Sequence, residues 1–154
     1  RKSFDCGSED LNRYLREQAR QDAEKRVAAP FVLTQPGDPA VLGFYTLSAS
    51  IIPVDELPPH LMKKLPRYGL LPVTLLGRLA VDQSVSGRGV GEFMLVDALR
   101  RSLGASQQIA SMAVIVDAKH ERAANFYRHF GFAPFQQPPL RLFLPMQHIA
   151  QLFA

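Results

Sequence analysis

A single cysteine, Cys6, stands in 154 residues, so no internal disulfide can form and the chain suits a reducing compartment. One thiol and four irregularly spaced histidines (His60, His120, His129, His148) also give no zinc-ligand pattern, and no metal is expected. Cys6 could act as a nucleophile, although a lone cysteine is more often a small buried hydrophobe. No apolar run approaches the roughly 18 residues of a membrane helix. The first ten residues are mostly polar and charged, unlike a secretory leader. Repeats, low-complexity tracts and long linkers are missing as well. These absences leave one soluble globular domain over residues 1–154, expected in the cytoplasm, with no membrane partner.

The composition is that of a chain able to bury a core: 47% hydrophobic and 21% charged. Eighteen Lys and Arg against 14 Asp and Glu give a net charge of +4. That excess permits a nucleic acid or a phosphorylated cofactor as partner without requiring either.

Helix-period and strand-like segments alternate, which predicts an α/β or α+β architecture. Ser8 can cap a helix from Glu9 to Val27, with Leu11, Leu15, Ala19 and Ala23 every four residues, and Pro30 ends it. Phe31 to Thr34 and Val41 to Ile52 read as a hairpin around the turn Gln35 to Pro39. A Pro-rich connector from Pro53 to Pro72 holds a short helix at His60 to Leu65. Val73 to Val81 is apolar on both faces, as a central buried strand would be. A Gly-rich turn follows, then a helix to Leu103 with Leu95, Leu99 and Leu103 in register. Ile109 to Val116 reads as a second buried strand and Glu121 to Phe130 as a helix capped by Gly131. Phe132 to Phe135 and Leu140 to Met146 close the sheet, before a last short helical turn.

Two segments carry chemistry. The first is the strand–turn–helix passage containing Ser86-Gly87-Arg88-Gly89-Val90-Gly91. Its glycines let successive N–H groups point at one anion, the helix behind adds its positive end, and Arg88 adds a charge. The turn lacks the Gly-Lys-Ser/Thr ending of a nucleotide-hydrolysing loop and the G-x-G-x-x-G spacing of a dinucleotide fold. Phosphate binding without nucleotide chemistry points to coenzyme A; the bland alternative is glycines that serve backbone geometry alone. The second segment runs from Asn125-Phe126-Tyr127 to Gly131-Phe132. A phenol on the inner face of a helix, with a reference pKa of about 10, suits protonation of a departing thiolate. Its alternative is a core aromatic with a satisfied hydroxyl.

The Gly-rich turn after Leu79-Ala80-Val81-Asp82, with Ala123-x-x-Phe126-Tyr127-x-x-x-Gly131-Phe132 downstream, resembles the Gcn5-related N-acetyltransferase (GNAT) superfamily. Ser86 stands where that family usually carries Gln or Arg, and His120 where many members carry Asn. Phe4-Asp5-Cys6-Gly7, Leu11-Asn12-Arg13-Tyr14-Leu15, Gly43 to Ser48 and Leu76 to Asp82 look in addition like the GNAT toxins of bacterial type II toxin–antitoxin pairs. The resemblance implies a GNAT fold, with a mixed central sheet of about six to seven strands flanked by about four helices. It implies acetyl-CoA as co-substrate, held by backbone at Leu79, Ala80 and Val81, by Ser86 to Gly91 and by Asn125, with Tyr127 as proton donor. It implies acetylation of the amino group of aminoacyl-tRNA, which blocks translation. A ribbon-helix-helix antitoxin, operator DNA reached only through the antitoxin complex, and a homodimer follow from the same resemblance.

Candidate tRNA-phosphate contacts are Arg78 above all, then Lys25, Arg26, Lys63, Lys64 and Arg67; solvated surface charge is their alternative. Apolar residues around Leu61 to Leu71 could equally dock an antitoxin. Two other functions remain open: acetylation of a small amine or protein N-terminus, and non-catalytic binding of coenzyme A, against which the presence of Tyr127 counts.

Overall fold

The computed structural model describes residues 3–65, 69–137 and 140–154. Six strands hydrogen-bond in the order β1-β2-β3-β4-β6-β5: β1 Ala29–Leu33, β2 Gly43–Pro53, β3 Leu70–Val81, β4 Ala113–Asp117, β5 Ala133–Pro134 and β6 Arg141–Pro145. The helices are α1 Glu9–Arg13, α2 Ala19–Glu24, α3 Pro59–Met62, α4 Val90–Ser106, α5 Glu121–His129 and α6 Met146–Leu152. The sheet and helices match the expected mixed α/β class. Two compact units share these elements, one made of Arg1–Ser48 and Leu76–Ala98, the other of Ala49–Leu75 and Leu99–Ala154. The strands β2 and β3 and the helix α4 each run from one unit into the other.

In the first unit β1 and β2 pair antiparallel, Phe31 facing Tyr45, and their rings stack at 5.1 Å. Phe4, Tyr14, Leu15, Ala19, Val41, Phe44 and Ala80 form its apolar cluster, with Cys6 packed partly buried against it. Cys6 is thus a small hydrophobe in this fold, as lone cysteines usually are.

The N-terminal helix departs from the expected uninterrupted run. Between α1 and α2, Tyr14–Gln18 form a π-helical turn in which the Ala19 N–H reaches back five residues to the Tyr14 carbonyl. The extra residue shifts the helix phase. Leu15 and Ala19 stay buried, Ala23 turns outward, and Asp22 becomes half-buried in its stead. The helix also ends before Pro30, which lies within β1. Arg26 adopts a left-handed φ of 57°, its N–H bonding the Ala23 carbonyl while the Val27 N–H bonds that of Asp22. That is a Schellman cap with arginine where glycine is usual.

In the second unit β6 pairs antiparallel with both β4 and β5. Ile52, Leu57, Leu71, Val73, Ala113, Ile115, Phe135 and Phe143 make its core. Leu61, Met62 and Leu65 pack partly buried against that core. The apolar connector therefore lines the interior, which removes most of the surface expected to be free for docking; Leu70 remains exposed. The strand expected from Ile109 begins only at Ala113. Residues 107–109 finish the turn of α4, the Ile109 N–H bonding the Ala105 carbonyl, and Ile109 is 82% exposed.

Candidate functional site

The glycine-rich turn is reached through a pinned approach. Asp82 leaves β3 in extended conformation and caps a short 3-10 turn, Gln83–Val85, by accepting from the Ser84 N–H. Its Oδ2 takes the Ser84 hydroxyl at 2.5 Å, and its Oδ1 takes the Asp5 N–H at 2.8 Å. The Asp5 carbonyl in turn accepts the Gln83 N–H. Asp5 Oδ1 accepts from the Gly7 N–H and from Asn12 Nδ2, while Asn12 Oδ1 takes the Cys6 N–H. Asn12 is buried, and its side chain bonds Asp5 and Cys6 within this knot. The Phe4-Asp5-Cys6-Gly7 and Asn12 signals thus have a physical content: they fasten the N-terminal segment to the foot of the turn. Ser84-bonding to Asp82 and the Asp5 N–H hold the Asp82 carboxyl below the usual carboxylate range.

Beyond that foot, Gly87 and Gly89 take left-handed φ of 77° and 78°, and α4 starts at Val90. Alternating left-handed glycines bring backbone N–H groups to one side, and the first N–H groups of a helix have no internal partner. A cavity of about 580 Å³ lies there, lined by Val81, Val85, Ser86, Gly87, Gly89, Val90, Gly91 and Glu92. Six expected residues (Val81, Ser86, Gly87, Gly89, Val90, Gly91) thus share one wall. Arg88 is exposed but not part of the lining, Ala80 is buried in the core, and Leu79 is half-buried. Glu92 was not anticipated. Its signal was an acidic residue in a first helical turn, where a carboxylate complements the dipole. The left-handed glycines and the start of α4 give this wall the chemistry of an anion seat.

Tyr127 sits on the buried face of α5, 9% exposed. Its ring packs edge-on against Phe126 at 5.2 Å and Phe132 at 5.4 Å. Burial pushes its phenol up to about 12. Among the described residues the hydroxyl has no hydrogen-bond partner, whereas the sealed oxygen that lacks one is Glu56 Oε2. His120 is the N-cap of α5, its Nδ1 accepting the Ala123 N–H at 3.2 Å. Imidazole thereby serves as the cap of α5. Asn125 lies on the exposed face, its Oδ1 taken by Arg128, which also pairs with Glu121.

The basic candidates fall in separate places. Lys25 and Arg78 both act electrostatically on Asp22 in the first unit, and Arg26 is the exposed left-handed cap beside Lys25. Lys63 and Lys64 are exposed after α3 in the second unit. Arg67 lies outside the described residues. Among the described residues no group of His, Cys, Asp and Glu is placed to hold a metal. No helix among them is long and apolar enough to cross a membrane.

Comparison with known proteins adds to this geometry. Residues 58–134 match the acetyltransferase (GNAT) domain family. The chain is 36% identical over 145 residues to a tRNA-acetylating toxin of Mycobacterium tuberculosis, covering 94% of this chain and 85% of that protein. It is similar to a solved structure of AtaT complexed with acetyl-methionyl-tRNAfMet, at a TM-score of 0.91 and 33% identity, covering 98% of this chain and 90% of the other. A second solved structure, a mutant AtaT toxin bound to the C-terminus of the antitoxin AtaR and acetyl-CoA, gives a TM-score of 0.84 at 29% identity, over 99% of this chain and 89% of that one.

Proposed function

This chain belongs to the GNAT acetyltransferase family, and from that premise we propose that it is the toxin of a type II toxin–antitoxin pair, transferring acetyl from acetyl-CoA to the amino group of aminoacyl-tRNA and so stopping translation. The observation that carries the chemistry is Tyr127, a buried phenol whose hydroxyl has no hydrogen-bond partner among the described residues. The substrate class is supported by near-full-length similarity to a tRNA-acetylating toxin. One acetyltransferase domain spans residues 1–154 and works in the cytoplasm, without a metal, as a homodimer. A ribbon-helix-helix antitoxin neutralises it, and the pair together reach operator DNA.

The turn from Ser86 to Gly91 seats the coenzyme pyrophosphate, and backbone at Leu79, Ala80 and Val81 pairs with the pantetheine arm. A backbone N–H there polarises the thioester carbonyl as charge builds on its oxygen. Asn125, with its amide nitrogen uncommitted to Arg128, contributes from α5. Direct attack by a neutral amine needs no acyl-enzyme, so no Ser/His or Cys/His pair is required. Tyr127 remains protonated at any working pH, being raised to about 12. A thiol's reference value is about 8.5, so full proton transfer from this phenol runs uphill by roughly 3.5 units. Tyr127 therefore donates a hydrogen bond to the sulfur as negative charge develops and passes its proton to the departing thiolate, while the proton shed by the acylated nitrogen restores the phenol through solvent, so that no tyrosinate is left. Arg78, Lys25, Arg26, Lys63, Lys64 and Arg67 supply phosphate contacts.

The test is transfer of labelled acetyl from acetyl-CoA to total charged tRNA, with deacylated tRNA and a polyamine panel beside it. Label on charged tRNA alone is the expected result. Label confined to small amines or protein N-termini would leave an acetyltransferase and remove the toxin.

A further inference from the structure

Arg78 projects from β3 onto the ring of Tyr14, its guanidinium carbon 3.6 Å from the ring centroid. The platform beneath it is fixed from three sides. Tyr14 is 7% exposed, stacks on Phe44 at 6.0 Å with planes 16° apart, and donates its hydroxyl to Asp22 Oδ2 at 2.8 Å. The other carboxylate oxygen of Asp22 accepts from Gln18 Nε2 at 2.9 Å. Tyr14 opens the π-turn and Gln18 closes it, and that turn is what brings residue 22 round to the same side.

A structural arginine in this position would turn its fork to the nearest carboxylate. Asp22 is close enough to feel its charge, and both its oxygens are already engaged by neutral donors. Among the described residues no hydrogen bond or ion pair uses the five N–H groups of Arg78. Arg78 and Lys25 nevertheless both act on Asp22, after Gln18 and Tyr14, to lower its carboxyl below the ordinary range. Two cations thus converge on one carboxylate whose lone pairs are partly spent elsewhere. A half-buried guanidinium, held flat on an aromatic with its edge unused, is a preformed bidentate seat for a phosphate.

We infer that Tyr14 is a positioning residue: it holds Arg78 flat and, through its hydroxyl, keeps Asp22 from capturing the guanidinium, so that Arg78 receives one backbone phosphate of a charged tRNA. The inference rests on the tRNA-acetylating reading above. A phosphate of acetyl-CoA has the same chemistry, and the two sources separate in the test.

The protein carrying Tyr127→Phe, which slows turnover of bound substrate, is titrated with total charged tRNA between 50 and 200 mM salt, on the order used to resolve phosphate contacts. Acetyl-CoA affinity and the thermal midpoint are measured beside it. Arg78→Gln is expected to weaken tRNA binding about tenfold and to reduce the log–log salt slope by about 0.7 to 0.9, one phosphate's worth. Tyr14→Leu should do nearly the same, and the double variant should be no weaker than Arg78→Gln alone. Since Tyr14→Leu touches the core, Tyr14→Phe serves as the fold-neutral arm. It keeps the ring but frees Asp22 to bind Arg78, so tRNA affinity should fall about threefold, and adding Asp22→Asn should restore it. Acetyl-CoA affinity should stay unchanged throughout. If the parent protein does not bind charged tRNA, the functional reading itself fails. If Arg78→Gln weakens binding while both Tyr14 variants bind as the parent does, the phosphate contact stands and the positioning role is overturned. Loss of acetyl-CoA affinity in place of tRNA affinity overturns the assignment of the seat to tRNA.

Discussion

Removing the Asp82 carboxylate should loosen the glycine-rich turn proposed to seat the coenzyme, without touching any residue that lines its cavity. Asp82→Ala deletes three hydrogen bonds, those from the Ser84 N–H and hydroxyl and from the Asp5 N–H. Loss of a capping carboxylate costs about 1 kcal/mol, and the lost tie to Asp5 about 1 kcal/mol more. For a chain of this size a loss of about 2 kcal/mol lowers the thermal midpoint by roughly 4 to 8 °C. The functional consequence is specific. With the foot of the turn free, the N–H groups of residues 86 to 91 must be ordered by the ligand, so KM for acetyl-CoA should rise about three- to tenfold. The kcat should stay within about twofold, because Tyr127 is not involved. Asp82→Asn keeps one acceptor and should fall midway. The pH dependence carries its own sign. The Asp82 carboxyl is lowered in the folded protein, chiefly by Ser84 and then by Asp5, so its contribution is full above the unfolded value of about 3.9 and is lost as pH falls below it. Asp82→Asn should therefore flatten the stability profile below about pH 4 and leave it unchanged in shape above. Titration calorimetry with acetyl-CoA and thermal melts decide the matter. A lower midpoint with unaltered acetyl-CoA affinity would refute the argument that this knot shapes the coenzyme seat.

Three further outcomes are expected. Tyr127→Phe should lower kcat about a hundredfold while acetyl-CoA still binds, measured by steady-state acetyl transfer; an unchanged rate would dismiss the phenol. His120→Ala should cost about 1 kcal/mol in chemical denaturation through loss of the α5 cap, and His120→Asn should cost nothing, since asparagine caps well. Gly43→Ala places a methyl 2.6 Å from Met94 Sδ and 3.0 Å from the Ala80 carbonyl oxygen. Backbone cannot yield as a side chain can, so about 1 to 3 kcal/mol of destabilisation is expected in a thermal melt.

The sequence was most legible where one residue's chemistry dictates its own backbone. Gly87 and Gly89 announce the turn, Gly131 the end of α5, and the spacing of Leu95 and Leu99 the buried face of α4, where both are sealed from solvent. It was least legible where a tertiary partner decides. Nothing in residues 9–27 signals that one residue is accommodated as a π-turn, because the apolar period of four continues through Ala23. That turn is selected by where Tyr14 and Asp22 must meet. Arg26 occupies a left-handed cap that glycine normally marks, so the sequence predicts a helix to Val27 where the last helical residue is Glu24. The strand expected from Ile109 failed for a related reason: apolar residues following a helix read as a strand, yet these complete the last helical turn in solvent. At the candidate site, residue type alone singles out the glycines and Tyr127. The bonds between Asp5 and the foot of the turn are not legible there, since a contact across 77 positions leaves no local pattern.

The π-turn also has a consequence in the currency of insertions and deletions. A helix advances about 100° per residue, so one surplus residue leaves everything after it rotated by that angle. Excising a single residue from 14–18 would give back a regular helix that is locally better bonded. It would also swing Asp22 and Lys25 round the barrel of the helix and turn Ala23 inward. The protein therefore keeps a local irregularity that a shortened chain would shed, and the direction in which its first basic cluster faces is set by chain length, not by the identity of any charged residue.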